Sequence, residues 1–502
     1  MRKKITVICL AALLFVTQAA SASTFTMAGY DGEDSSHVWD DNQFFTRMTE
    51  NTGTSFQFSE YTDPAKWQEA KDEMFASGDL PDVLFKAALS VEEQIQYSDE
   101  GLLIDLLPLL PENAPNLWAL LEANPEWLAA ITLPGGKVAA LPAINTLSSQ
   151  NAMWINQTWL DTLGLEMPTD FESLLSVLQA FQTKDPNQNG KQDEIPLSFL
   201  GPWDLKFLSH AFGLVSNDYN IYADEAGQVQ FLPMQAEYMD FLEALAAMYE
   251  QGLLDENGFS TADTLRTITD DDTTLTYGMF FGPNPYNLLT VSLGEQYTMV
   301  EPLSYQGKQI YRDLFGPITT GTFAITSACQ NPEEVLRWVD TLYTADGAAE
   351  AIAGVEGTDF LWNDDGTWSY ATDLEDNSSF ILYDLSIYDT GNMPWMFPVD
   401  FYASYDIDSL RSVTESLVDL QAWLVEPFPY YYVLSSDQHD FIDPLQLQLG
   451  QYVDESIAKF VLGELDIHAQ EDIDAFYAGL QERGLDKFIS FWQEIYDQQR
   501  IR

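Results

Sequence analysis

The densest oxygen chemistry in the chain lies in Asp185-Pro186-Asn187-Gln188-Asn189-Gly190-Lys191-Gln192-Asp193-Glu194-Ile195-Pro196. Oxygen-bearing side chains fall at the first, third and fifth positions, a glycine at the sixth, and carboxylates at the ninth and tenth. That alternation lets a loop wrap a hard cation such as Ca2+. Asp185, Asn187, Asn189, Asp193 and Glu194 would supply side-chain oxygens, Lys191 its main-chain carbonyl, and Gly190 the sharp reversal between them. The loop departs from an EF-hand at its twelfth position, where Pro196 stands in place of a bidentate Glu, and Leu197-Ser198-Phe199-Leu200 beyond it has β character. A cation here would be a structural staple rather than a switch. The same residues also make an Asn/Gly-rich surface turn, and the pattern leaves both readings open.

Catalytic chemistry has little support. Gly-x-Ser-x-Gly, His-Glu-x-x-His and the phosphate-binding Gly-rich loop are all absent. A glycosidase needs two carboxylates at a set separation, and among 79 acidic residues no pairing in sequence is informative. His37, His210, His439 and His468 lack metal-ligand spacing, which predicts surface or capping roles for them. Cys329, just before a helix expected from Pro332, reads as a buried inert thiol.

Behind these residues stands a chain of 502, long enough for about two or three domains. Met1-Arg2-Lys3-Lys4, the apolar run Ile5 to Val16 and Ala20-Ser21-Ala22 read as a secretory signal peptide cleaved after Ala22. No later stretch is long and apolar enough to span a membrane. Cys9 lies inside the leader and no Cys stands at the cleavage site, so no lipid attachment point is expected; Cys329 is left alone, without an internal disulfide. The formal net charge of −58, more negative once Arg2, Lys3 and Lys4 are removed, repels nucleic acid and anionic headgroups and disfavours a polyanionic ligand.

The elements follow from periodicity. Thr24 to Tyr30, Phe56 to Phe58 and Leu80 to Phe85 read as strands separated by helices over Asn42 to Asn51 and Asp63 to Ser77, a β-α-β-α-β order that predicts a mostly parallel sheet. Val138 to Ile144 is expected as a strand making a first crossing between lobes, and Thr322 to Thr326 as a strand of the return crossing. Thr169 to Thr183 places Phe171, Leu174, Leu175, Leu178 and Phe181 on one helical face, with Thr169 as the expected cap and Glu172 completing its box. Further helices are expected over 235–252 and Pro332 to Thr344, a strand over Tyr277 to Phe281, and a mostly helical last hundred residues.

Several stretches, taken in order, carry a resemblance: Ser77-Gly78-Asp79-Leu80-Pro81-Asp82-Val83, Trp154-Ile155-Asn156, Asp185 to Pro196, Cys329-Gln330-Asn331-Pro332-Glu333 with Trp338-Val339-Asp340, and Gly354-Val355-Glu356-Gly357. The tail adds Phe460-Val461-Leu462-Gly463-Glu464 and Gly484-Leu485-Asp486. Together they resemble the extracellular solute-binding proteins of family 1, the carbohydrate-type receptors of ABC importers. The likeness is greatest to the subgroup holding the alginate-oligosaccharide-binding proteins and LipO-type lipoproteins. The resemblance implies an α/β, periplasmic-binding-protein-like fold of type II, with two lobes, hinge crossings and a cleft between them. It implies a monomeric, non-enzymatic receptor that is exported, closes on a sugar or oligosaccharide and presents it to a membrane permease. It also implies a calcium ion on Asp185, Asn187, Asn189, the Lys191 carbonyl, Asp193 and Glu194. The expected segments are 23–142 in the N-terminal lobe, 143–320 in the C-terminal lobe, 321–390 returning to the first, and 391–502 completing both.

Sugar receptors stack aromatic faces on C–H patches and hydrogen-bond hydroxyls with amides and charged groups. With aromatics at 13% of the chain, most must pack in cores. Those beside turn residues are the candidates for the cleft: Trp39, Trp203 after Gly201-Pro202, Phe281 before Gly282, and Trp395 between prolines. Asp31, just past the first strand, is the polar candidate. The alternative is a secreted polysaccharide-active glycosidase or lyase, and a third reading is a sensor-associated binding protein without a permease.

Overall fold

The computed structural model describes residues 23–499 apart from 33–34, 36, 148–149, 260–275, 373–383 and 388–391. The expected leader, residues 1–22, lies outside the described residues. In chain order come β1 (Ser23–Tyr30), β2 (Thr54–Tyr61), β3 (Val83–Phe85), β4 (Leu141–Ile144), β5 (Ala152–Asn156) and β6 (Ile195–Leu197). A hairpin of β7 (Ile221–Ala223) and β8 (Val229–Phe231) precedes β9 (Tyr277–Gly282) and β10 (Tyr297–Val300). Then follow β11 (Tyr311–Arg312), β12 (Ile318–Ile325), a hairpin of β13 (Phe360–Trp362) and β14 (Trp368–Tyr370), and β15 (Leu424–Val425).

Two sheets organise the chain. The first has the order β2-β1-β3-β12-β4, with β1 parallel to β2 and β3, and β12 antiparallel to both β3 and β4. Its inner strands β3 and β4 are buried throughout, as coverage of both faces requires, whereas the edge strand β2 alternates Phe56 and Phe58 with Gln57 and Ser59. Met27, Val83 and Phe85 enter one core, while Ala28 and Leu84, one residue out of phase, enter the other. The second sheet, β10-β5-β9-β6, anchors a third core. The helices Ala236–Glu250, Ser436–Val461, Gln470–Glu482 and Leu485–Gln499 contribute to that core.

Local signals account for most boundaries. Asn42 caps the helix Gln43–Thr52, and Asp63 caps Pro64–Ser77 with the proline in the first turn. The helix Phe171–Thr183 corrects one expectation. Its cap is Asp170, whose carboxylate accepts the Ser173 N–H at 2.8 Å while the Ser173 hydroxyl meets the Asp170 N–H at 3.0 Å. Thr169 stands outside the helix because its carbonyl accepts from the Ser304 N–H at 2.8 Å, and Asp and Ser build the box as well as Thr and Glu.

Chain segments pass between the sheets beyond β4, before β12 and ahead of β15, the last between Tyr405 of a first-sheet core and Leu417 of the second-sheet core; the segment after β15 stays with the second-sheet core and lies along the first two. They are bonded to one another: Asn145 N–H to the Pro317 carbonyl at 2.8 Å, Asp313 N–H to the Val425 carbonyl at 2.9 Å, and Ile318 N–H to the Tyr431 hydroxyl at 2.7 Å. β11 and β15 also pair in parallel, and Leu147 packs against both the second-sheet core and a first-sheet core. Farther out, His439 Nε2 of the helix Ser436–Val461 lies 2.9 Å from Glu92 Oε1 of the helix Val91–Asp99.

Candidate functional site

Two cavities meet where these segments run. One, of 420 Å³, is lined by Gln150, Trp203, Lys206, Phe207, Arg312 and Asp454, among others; the second, of 700 Å³, shares Asp218, Leu314 and Phe315 with it. Through these shared residues they adjoin as one cleft. The larger cavity takes residues from the first-sheet side, such as Glu126 and Thr320, and from the second-sheet side, such as Asn217 and Tyr496.

The smaller cavity is positioned by the 3-10 segment Asp204–Phe212. Asp204 ties it down by accepting from the Leu200 N–H and the Asn151 amide, each at 3.2 Å. Burial pushes the Asp204 carboxyl up to about 6, with the two hydrogen bonds opposing the rise. His210 bridges the Phe207 carbonyl, 2.7 Å from Nδ1, and the Leu303 N–H, 2.9 Å from Nε2. Nδ1 must donate and Nε2 accept, so the ring is neutral, and burial holds it down at about 4. Of the histidines expected at the surface or in caps, His37 and His210 are instead buried, because each ring has a partner inside.

From this anchored segment Lys206 reaches Asp454 at 2.7 Å, and Phe207 supports the Arg312 guanidinium 4.1 Å above its ring. Arg312 also meets Asp218 at 3.4 Å, while its Nε is buried without a hydrogen-bond partner. Burial lowers the pKa values of both cations, and the facing carboxylates oppose that. Trp203 is 43% exposed and Phe315 54%, so both present open faces. The larger cavity adds Tyr219, Tyr430, Tyr431 and Tyr432. The crossing reaches them through Gly316, at φ +61, where a Cβ would stand 2.6 Å from both Tyr430 Cδ2 and the Tyr431 hydroxyl.

Of the five residues expected in the cleft, Trp203 lines it. Trp39 is 0% exposed among Phe45, Phe58 and Phe85. Phe281 lies in the second-sheet core, 6.0 Å from Phe207, and so backs the cleft wall. Trp395 is buried, its carbonyl accepting from the Ile144 N–H. Asp31 is buried at the end of β1, 2.6 Å from Lys86 Nζ and 2.6 Å from His37 Nδ1. Sequence reasoning passed over Gln150, Lys206, Arg312 and the tyrosines. Pro427-Phe428-Pro429-Tyr430-Tyr431-Tyr432 was the usable signal, since aromatics fenced by prolines have no helical or strand period to bury them.

The loop at Asp185 joins the helix Phe171–Thr183 to β6. Asp185 accepts from the Asn189 N–H at 3.0 Å and the Gly190 N–H at 2.9 Å, Asn187 Oδ1 from the Asn189 N–H at 3.1 Å, and Asn189 Oδ1 from the Lys191 N–H at 2.7 Å. These turns curl the loop, and Gly190 sits at φ +76. The Asn187 and Asn189 amides donate to Asp193 at 3.3 and 2.9 Å. Among the described residues no three His, Cys, Asp or Glu side chains converge as a metal cluster, so a cation would depend on amide and carbonyl oxygens as well. One observation fits that demand: both carboxylate oxygens of Glu194 are buried without a hydrogen-bond partner. Burial pushes its pKa up, as do Asp193 and Asp185; the main-chain amides of residues 193 and 194 offset this without reaching bonding geometry. A bound Ca2+ would supply the missing counter-charge.

The family model described as bacterial extracellular solute-binding protein matches residues 43–349. A relative is the fructooligosaccharide ABC transporter substrate-binding protein FusA of Streptococcus pneumoniae serotype 4, 26% identical over 480 residues, 90% of this chain and 86% of that protein. Among solved structures, FusA in complex with kestose matches with a TM-score of 0.70 and 22% identity over 95% of this chain and 100% of that one. An EF-hand mutant of FusA in complex with fructo-nystose matches with the same TM-score, 0.70. A human-milk-oligosaccharide (HMO) binding solute-binding protein of Bifidobacterium longum infantis gives 0.75 and 21% over 95% and 99%. The alginate-binding protein AlgQ2 without calcium ion gives 0.64 and 21% over 94% and 98%. These neighbours share the two-lobed α/β architecture of type II receptors expected from sequence. With its family model spanning more than half its length, the chain belongs to the bacterial extracellular solute-binding proteins.

Proposed function

We propose that the protein is an exported receptor that captures an oligosaccharide in the cleft and delivers it, unaltered, to the permease of an ABC transporter. The observation that carries this reading is the composition of the cleft: open aromatic faces from Trp203 and Phe315, tyrosines along the larger cavity, and buried Gln150 and Arg312 between them. Rings stack on the former and hydroxyls bond to the latter. The volumes of the two cavities, 420 and 700 Å³, suit several sugar rings rather than one. FusA is described as binding kestose, and the Bifidobacterium protein as binding human milk oligosaccharides, which supports the same ligand class here.

In this reading residues 23–142 and 321–390 build the first lobe, 143–320 most of the second, and 391–502 complete both. The protein acts as a monomer beyond the membrane, after removal of the leader. Among the described residues no helix is long and apolar enough to cross a membrane. A calcium ion sits in the 185–196 loop, held by Asp185, Asn187, Asn189, the Lys191 carbonyl, Asp193 and Glu194. The EF-hand mutant of FusA and the calcium-free AlgQ2 structure support the assignment.

Incubation with neutral tri- and tetrasaccharides tests the function. A ligand at 100 times its Kd adds about 2.7 kcal/mol of stability, so the expected outcome is a melting temperature raised by several degrees with the sugar recovered intact. Trp203→Ala should weaken binding by roughly 3- to 10-fold, the worth of one stacked aromatic. Released shorter sugars would establish an enzyme instead.

A further inference from the structure

We propose that the smaller cavity is a subsite for a neutral sugar ring that discriminates against uronates, with Gln150 reading its hydroxyls and Asp454 keeping Lys206 from answering an anion. The proposal rests on the cleft being a saccharide site. Gln150 is 1% exposed, and both its Nε2 and its Oε1 are buried without a partner while the side chain lines the cavity. A carboxamide left in that condition asks for a ligand that both accepts and donates at adjacent positions. Neighbouring hydroxyls on a sugar ring do so: one oxygen accepts the amide N–H and the next O–H donates to the amide oxygen. Arg312 Nε, also buried and unpartnered, offers a further donor on the same wall.

The charges around this subsite decide what it refuses. Both cations of the smaller cavity already face carboxylates, Lys206 with Asp454 at 2.7 Å and Arg312 with Asp218 at 3.4 Å. The larger cavity adds Glu126, Asp313 and Glu426, and no Lys, Arg or His lines it. A carboxylate on the sugar therefore meets three acidic groups along the cleft and finds each cation engaged at its end. Each of these carboxylates repels an anionic ligand and leaves a neutral one untouched, and because the cleft is open to solvent at Trp203 and Phe315 that repulsion weakens as salt rises.

Titration calorimetry on the mature chain tests this, using neutral tri- and tetrasaccharides, kestose among them, against uronate-terminated oligosaccharides of equal length. Uronates are expected to bind at least 10-fold more weakly, and their affinity to rise with salt while that of neutral sugars stays flat. Gln150→Leu should weaken the neutral sugars at least 10-fold, a loss on the scale of an unmet buried amide. Asp454→Asn, by releasing Lys206, should raise the ratio of uronate to neutral affinity at least 10-fold. Melting curves report whether either variant has failed to fold, and the salt series on the unmodified chain stands without them. Uronates binding as tightly as neutral sugars, or an unmoved ratio in folded Asp454→Asn, would overturn the inference. If neither class binds, the saccharide reading itself falls.

Discussion

At the scale of single residues, the clearest arrangement is the buried set at the end of β1. Asp31 lies between Lys86 and His37, with the Ser35 hydroxyl also bonded to it. Burial alone would raise the Asp31 pKa, but the bond from His37 and the charge of Lys86 overcome it and hold the carboxyl at about 2. A folded value below the ordinary 3.8 means that the ionised side chain contributes stability above that pH and loses it as the pH falls through about 2. Asp31→Asn should therefore flatten the acid limb of the stability curve between these values. Lys86→Met, which takes the lysine charge from the buried carboxylate and leaves it only His37 and Ser35, should cost about 3 kcal/mol in chemical denaturation at neutral pH. A carboxylate after a strand can face a ligand or a buried lysine, and the sequence does not distinguish them. The lysine lies 55 positions away, at the end of a different strand. Aromatics beside turns pose the same problem. Trp39 and Trp203 have similar local surroundings, yet one ends among three phenylalanines and the other at the cleft, because burial is decided by elements far along the chain.

At the scale of elements, periodicity and caps carried most of the information. β1, the helices after Asn42 and Asp63, and the strand over Tyr277 to Phe281 lie within a few residues of where spacing puts them. The helix start at Asp170 was misplaced because neighbouring Thr and Asp are both good caps, and only the pairing of Thr169 with Ser304 decides between them. The 185–196 loop was legible as a curled, oxygen-rich turn. What sequence could not supply was the orphaned Glu194 carboxylate, which depends on how β6 docks beside β9. If the loop holds calcium, excess chelator should lower the melting temperature by roughly 5–10 °C, the effect of losing a ligand near 100 times its Kd from a domain of this size. Glu194→Gln should remove that sensitivity. A melting curve unmoved by chelator would make the loop an ordinary turn.

At the scale of the whole molecule, the two-lobed class was readable because β-α-β order and ordered family-like stretches extend through the chain. The return of β12 between β3 and β4 was readable only as a strand, not as a sheet position, since its partners lie more than 170 residues earlier. The assembled cleft was not readable at all: it draws on residues from Val91 to Tyr496. Closure of such a cleft on a saturating oligosaccharide should shrink the radius of gyration in solution scattering. Identical profiles with and without a bound sugar would argue for a rigid body. Glu92→Gln or His439→Ala, which removes a side-chain contact joining helices from the two sides, should shift the unliganded protein toward the wider form.

The bonding of two crossing segments to each other, Asn145 to Pro317, and of one of them to the stretch beyond β15, Ile318 to Tyr431, has a mechanical corollary. Torque applied to one half is shared among parallel straps instead of resting on a single flexible thread. A protease nick in one strap should leave the severed pieces travelling together as a native particle, separating only once denaturant melts the rest.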